Sequence, residues 1–265
     1  MLIQLKSVAG HNRIWFKVTI LCAFVVAAVI AILPLDPIQQ DELYHEFSDQ
    51  RTILQIPNFW NTITNIPFLV IGIVGLRFCF MQMPRDRATE LRGAYATFFA
   101  GVTLIAFGSV YYHLYPSTQT LVWDRLPMSV AFMSLLAVVI GESISPRLGR
   151  RLLVPLLVAG LVAVIQWAVS ETRGLGDLRF YVLVQFLPAV LIPLILLMFG
   201  AAWPRSGYLW AILVTYALAK VAEQFDAALL EATGVLSGHS IKHLLSGLAT
   251  FWMLPALTGR RRLDG

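Results

Sequence analysis

Charged residues are scarce in this chain. Asp, Glu, Lys and Arg make up 13% of its 265 residues, about half the ~25% of a soluble globular domain. That deficit excludes a single water-surrounded domain, so lipid must solvate much of the surface. Cysteine is nearly absent: only Cys22 and Cys79 occur, both inside apolar runs. Two such residues exclude a redox motif or a Cys-based metal site, and they read as small buried hydrophobes rather than a disulfide. What is abundant is apolar, at 58% of residues and a mean hydropathy of +0.72.

A helix needs about 20 apolar residues to cross a hydrocarbon core of ~30 Å. Reading on that basis predicts spans near 14–35, 59–81, 93–115, 120–142, 151–170, 179–200, 207–229 and 238–258. The expected fold is all-α, a polytopic membrane bundle of about eight helices forming one transmembrane domain over 1–265. No linker, repeat or second domain interrupts it. The first span resembles a signal peptide, since Lys6, Arg13 and Lys17 precede its apolar stretch, but it lacks an A-x-A site. A retained helix is the better reading.

A formal net charge of +5 would fit nucleic acid, were the basic residues not scattered in short loops between apolar runs. That scatter is the pattern of membrane orientation. Lys6, Arg13, Lys17, Arg77, Arg85, Arg87, Arg92, Arg147, Arg150, Arg151, Arg205 and Arg260 to Arg262 fall on one side. The positive-inside rule makes that side, with both termini, cytoplasmic. Asp36, Asp41, Glu42, Glu46 and Asp49 crowd the opposite, periplasmic or lumenal, side.

Polar groups inside membrane helices cost several kcal/mol unless paired or functional. The second span carries Asn58, Asn61 and Asn65 at i, i+3 and i+7, on one expected helical face. They serve either interhelical hydrogen bonds or the lining of a polar cavity. The third span ends Gly108-Ser109-Val110-Tyr111-Tyr112-His113, with Ser109 and His113 on one face, and Asp124 follows at the start of the fourth. The last opens Gly238-His239-Ser240-Ile241-Lys242-His243. Its i, i+4 histidines have the spacing that grips one metal ion. Any one of these histidines alone would pass as an interfacial polar residue. Three of the chain's five at one depth and on one side, beside Ser109 and Asp124, match the three-ligand arrangement of catalytic zinc, with a fourth position for water. Lys220, Glu223 and Asp226, at steps of three in the seventh span, read as a neutralising ion cluster placed to support His239 or His243 from behind. His11 and His45 read as solvated.

These blocks resemble the alkaline ceramidase family, within the wider CREST superfamily of membrane hydrolases. Phe59-Trp60-Asn61-Thr62-Ile63-Thr64-Asn65 is similar to its F-W-N-T-x-S-N, with Thr64 in place of Ser. Gly108 to His113 and Asp124-Arg125-Leu126-Pro127-Met128 are similar to G-S-x-x-[YF]-H and D-x-x-P-M, and Gly238-His239 with His243 to the terminal G-H-x-x-x-H. The resemblance runs from about residue 58 to the C-terminus, a core of 58–258 preceded by the extra helix at 14–35. It implies a zinc-dependent hydrolase cleaving the amide of ceramide or a related N-acyl lipid in the bilayer. His113, His239 and His243 would ligate Zn2+, Ser109 would stand beside the metal, and Asp124 would orient or deprotonate the attacking water. The family's Ca2+ site has no clear counterpart here: Asn58 occupies the place of its Glu before F-W-N-T, and no Asp-Trp pair precedes it. The acidic outer loop offers Asp49 and Asn58 as possible calcium ligands.

Other readings compete. An ester-cleaving lipid hydrolase would use the same site. A heptahelical receptor would need a substantial intracellular effector region, which these short inner loops do not provide. A transporter would spread titratable groups through the membrane depth, whereas here they cluster at one face. No nucleic-acid partner is expected; the lipid substrate and the bilayer are.

Overall fold

The computed structural model describes residues 2–83, 90–200 and 205–258. Arg85, Arg87, Arg260, Arg261 and Arg262, used above for orientation, lie outside the described residues, as do the side chains of Lys6 and Arg205.

The described residues are helical, with no named strand among them. In chain order the helices are α1 (Leu2–Ile32), α2 (Phe59–Ile63), α3 (Ile66–Met81), α4 (Arg92–Leu114), α5 (Thr118–Ser143), α6 (Pro146–Thr172), α7 (Arg179–Phe199), α8 (Arg205–Gln224), α9 (Asp226–Thr233), α10 (Gly238–Phe251) and α11 (Met253–Thr258). Six stretches among the described residues are long and apolar enough to cross a membrane: Arg13–Ile32, Phe59–Met81 and the four helices α4 to α7. The places of the expected seventh and eighth spans are taken by α8 and by α10 with α11, which carry Lys220, Glu223, Lys242 and two histidines. The fold is the expected all-α polytopic membrane architecture.

Packing follows from where the apolar volume goes. α4 lies between α3 and α5, α5 is flanked by α6 and α7, and α10 packs on α8 and α3, while α1 leans on α7. Tyr95, Phe99, Val102, Val138, Ile195 and Met253 fill the interior. Large apolar side chains also point outward, with Leu197 at 73% and Phe80 at 68% exposure. Such a surface suits hydrocarbon, because helices satisfy their own backbone polar groups without water.

Three expected helices are interrupted, each with a local reason. Pro67 has no N–H to give to the carbonyl of Ile63, and the chain breaks at Thr64-Asn65 between α2 and α3. Asn58 stands outside the helix with φ 47°. The three asparagines therefore do not form the continuous helical stripe that their spacing predicts. The seventh span turns at Phe225, whose N–H closes a tight three-residue bond to Ala222 at 3.2 Å. Lys220 and Glu223 remain on α8, while Asp226 opens α9. In the eighth, Pro255 withholds the bond to Phe251, and α11 begins anew after Trp252.

The segment 33–58 lies across one end of the bundle. The carbonyl of Ile38 accepts from Leu178 at 2.8 Å. The N–H of Gln40 donates to Glu171 at 3.3 Å, and that of Ser48 to Asp226 at 3.1 Å. His45 is half-buried rather than solvated: its Nδ1 lies 2.9 Å from Tyr112 Oη and its Nε2 3.0 Å from Thr118 Oγ1. The acidic loop is thus a cover fastened to α4, α5, α6, α9 and the residue that caps α7.

Candidate metal centre and cavity

Under that cover, His113 near the end of α4 and His239 and His243 in the first turns of α10 come together. One nitrogen from each lies within 4.8 Å of the others, and all three rings are buried. His113 Nε2 and His243 Nε2 are 3.3 Å apart. Two nitrogens bound to one tetrahedral zinc at 2.0–2.1 Å lie about 3.3 Å from each other, so the spacing fits such an ion. The donor set fits as well: three imidazoles beside an approachable cavity could hold a metal ion and leave one position open.

Two glycines allow the helices that carry these groups to meet. A Cβ on Gly238 would stand 2.0 Å from the carbonyl oxygen of Ala222, so only glycine lets the start of α10 lie against the end of α8. A Cβ on Gly108 would stand 2.0 Å from the carbonyl oxygen of Trp123. That carbonyl lacks its helical donor, because the residue four later is Pro127. The close approach brings Ser109 and Asp124 side by side.

The asparagines and their neighbours hold the histidines in place. Thr64 Oγ1 donates to the Trp60 carbonyl at 2.6 Å and lies 3.1 Å from His243 Nδ1, so it accepts the imidazole N–H. That bond fixes the tautomer and leaves Nε2 with its lone pair towards His113. Asn65 Nδ2 lies 3.3 Å from the same Nδ1 and donates to the Asn61 carbonyl at 2.8 Å. Asn61 Oδ1 accepts from Ser240 at 2.6 Å, tying α2 to α10. Asn58 Nδ2 donates to the backbone carbonyl of His113 at 2.8 Å. Asp226 accepts the backbone N–H of His239 at 2.6 Å, satisfying an otherwise unpaired donor in the first turn of α10.

The expected ion cluster forms with a different membership. Glu223 bridges Lys220 and Lys242, the latter at 2.9 Å, and Lys242 Nζ lies 3.0 Å from His239 Nε2. Asp226 is outside it. Sequence reasoning also missed Phe47, whose ring sits 4.7 Å from that of His113 and 4.9 Å from that of His239, closing the site from the cover side. No periodicity marks Phe47, which lies in a loop far from either histidine in the chain.

Asp49 already has a cationic partner: its Oδ1 accepts from Arg51 Nε at 2.8 Å and its Oδ2 from Nη2 at 2.7 Å, while the Asn58 amide nitrogen donates to the His113 carbonyl and leaves its oxygen for other partners. The guanidinium holds the Asp49 carboxyl below the usual carboxylate range. Arg51 also donates to the carbonyls of Gly234 and Val235, so this pair binds the cover to the loop before α10.

Below the histidines a cavity of about 250 Å³ runs into the bundle. Ser109, Asp124, Lys242 and His243 line its head, and Phe98, Ile105, Leu135, Ile192, Ile212 and Ala249 line its shaft. Phe98 is fifteen residues before His113 on α4, about 22 Å along the helix axis. The site therefore belongs to a polytopic helical membrane protein that sets a buried three-histidine cluster over a long apolar cavity. The ceramidase family model matches residues 51–261, and the chain belongs to that family. Membership places it among lipid amide hydrolases; α1 lies outside the matched stretch. No curated protein matches the chain.

Proposed function

We propose that the protein is a zinc-dependent intramembrane hydrolase that cleaves the amide bond of ceramide or a related N-acyl lipid. The observation that carries this reading is the convergence of His113, His239 and His243 beside the Ser109–Asp124 pair, at the head of an apolar cavity. A zinc ion held by the three histidines would polarise the acyl carbonyl and lower the pKa of water to about 7.

The chain's own residues account for the remainder. The cavity shaft takes the acyl chain and sets its carbonyl carbon at the polar head. Asp124 accepts a proton from the attacking water and returns it to the amine as the C–N bond breaks. Ser109 donates its hydroxyl hydrogen towards the carbonyl oxygen as negative charge develops there. Water adds across the amide, giving a fatty acid and a free amine. Phe47 and the cover keep bulk water from the histidines, which strengthens each electrostatic contact at the head. The site would open on the periplasmic or lumenal side, with both termini cytoplasmic.

The test is elemental analysis of the detergent-purified protein alongside amide hydrolysis of an N-acyl sphingosine. About one zinc per chain is expected, lost in His239→Ala and in His243→Ala. Asp124→Asn should keep the metal and lose roughly a hundredfold or more in turnover. Full zinc in either histidine variant would refute the ligand assignment, and undiminished turnover in Asp124→Asn would remove it as the base. Cleavage of ester analogues but not amides would shift the reaction class.

A further inference from the structure

One charged group at the head of the cavity is not used by that chemistry. Arg125 lines the cavity beside Asp124, yet it is only 7% exposed and makes no ion pair with a carboxylate among the described residues. Its Nη2 donates to Gln40 Oε1 at 2.7 Å. Its guanidinium carbon lies 4.2 Å from the ring centre of Trp167, 4.8 Å from that of Tyr181 and 5.8 Å from that of Tyr44. Nη1 has no hydrogen-bond partner. These contacts belong to the cover, α6 and α7, not to the helices that hold the histidines.

A buried guanidinium with an unused donor is costly, and neighbouring π faces offset only part of that cost. The surroundings do not supply the missing anion. Among the residues lining the cavity, Arg125, Lys220 and Lys242 stand against Asp124 and Glu223. Glu223 is shared by both lysines, and Asp124, the neighbouring carboxylate, attracts Arg125 without forming an ion pair with it. The head of the cavity thus carries excess positive charge before any metal is bound. Such a site selects against a neutral head group, which would leave the charge unpaired, and in favour of an acidic one, which would meet the guanidinium in a charge-assisted hydrogen bond.

We propose that Arg125 is a specificity-determining residue that binds an acidic group on the amine half of the substrate, so that the preferred substrates are N-acyl lipids bearing a carboxylate or phosphate near the amide. The inference rests on the amidase reading and narrows it from ceramide-like lipids in general to their anionic members.

Two matched pairs of probes test it: N-palmitoylserine against N-palmitoylethanolamine, and ceramide 1-phosphate against ceramide, each assayed with the zinc-loaded full chain. The acidic member of at least one pair should be favoured in kcat/KM by roughly ten- to a hundredfold, and which pair shows it identifies the acid. In Arg125→Gln that ratio should fall towards one, with Arg125→Lys keeping part of it. A purely structural role would lower both members alike and leave the ratio unchanged. An unchanged ratio in Arg125→Gln, or equal rates within both pairs for the native protein, would overturn the inference while leaving the amidase intact. No hydrolysis of any of the four lipids by zinc-loaded protein would overturn the amidase reading and this inference together.

Discussion

Thr64 shows how much depends on one hydroxyl. Its hydrogen goes to the Trp60 carbonyl, so its oxygen is left to accept from His243 Nδ1. A metal-ligating histidine needs that outer bond to hold its tautomer and ring orientation, and losing it costs roughly ten- to a hundredfold in metal affinity. Thr64→Val keeps the shape and removes the acceptor. It should weaken zinc binding by about that factor in a chelator competition, whereas Thr64→Ser, the residue found in the family's motif, should bind as the native chain does. Equal affinity in Thr64→Val would mean that the Asn61 backbone, not Thr64, sets the ring. At this scale much could be read from sequence. The i, i+4 histidines on one helix, and Ser109 with His113 on another, are spaced by a period that any helix imposes, whereas Asp124, on a third helix, was marked by the family resemblance. Phe47, the Arg51–Asp49 pair and the aromatic surroundings of Arg125 were not legible. Phe47 and the rings around Arg125 join segments tens of residues apart, as Arg51 does through the Gly234 and Val235 carbonyls, and no local pattern encodes such meetings.

Among the elements, the cover over residues 33–58 is the one whose behaviour should depend on pH. His45 sits between Tyr112 and Thr118, and burial holds its ring pKa below the ordinary 6.5. A histidine with a depressed folded pKa contributes stability that is present above its unfolded value and lost as pH falls through the folded one. The cover should therefore hold tightly at pH 7.5 and loosen on acidification below about 6.5. Hydrogen exchange of residues 38–50 measures this, with exchange rising as pH falls once the chemical rate is corrected. His45→Gln keeps a donor and an acceptor without titrating, and it should flatten the dependence. A dependence that persists in that variant would move its origin elsewhere. The Asp49–Arg51 pair should not contribute in this range, since the Asp49 carboxyl is held low and would be protonated only in stronger acid. The helices beneath the cover were readable to within a few residues. Their breaks at Thr64-Asn65, Phe225 and Trp252 were not, although Pro67 and Pro255 stand in the sequence. A proline weakens a membrane helix without fixing whether it bends or stops, and packing against neighbours decides that.

For the whole molecule, the two ends of the bundle differ in kind. One end carries the cover, the histidines and the acidic residues Asp41, Glu42 and Glu46; the other carries exposed Arg147, Arg150 and Arg151 at the start of α6. A substrate that enters from lipid and is cleaved by water needs its site near one interface, and the polar head of the cavity lies at the cover end. Short basic connections are retained on the cytoplasmic side during insertion, so the cover end should be periplasmic or lumenal. Thiol labelling can check this cleanly, because Cys79 is buried and Cys22 lies within the apolar span of α1. Leu175→Cys, at a position 64% exposed in the loop between α6 and α7, should react with a membrane-impermeant maleimide added outside intact cells or lumenal-side-out vesicles. Arg150→Cys should react only after the membrane is opened. The reverse pattern would place the three histidines at the cytoplasmic interface, and the lipid pool offered to the enzyme would then be the inner leaflet.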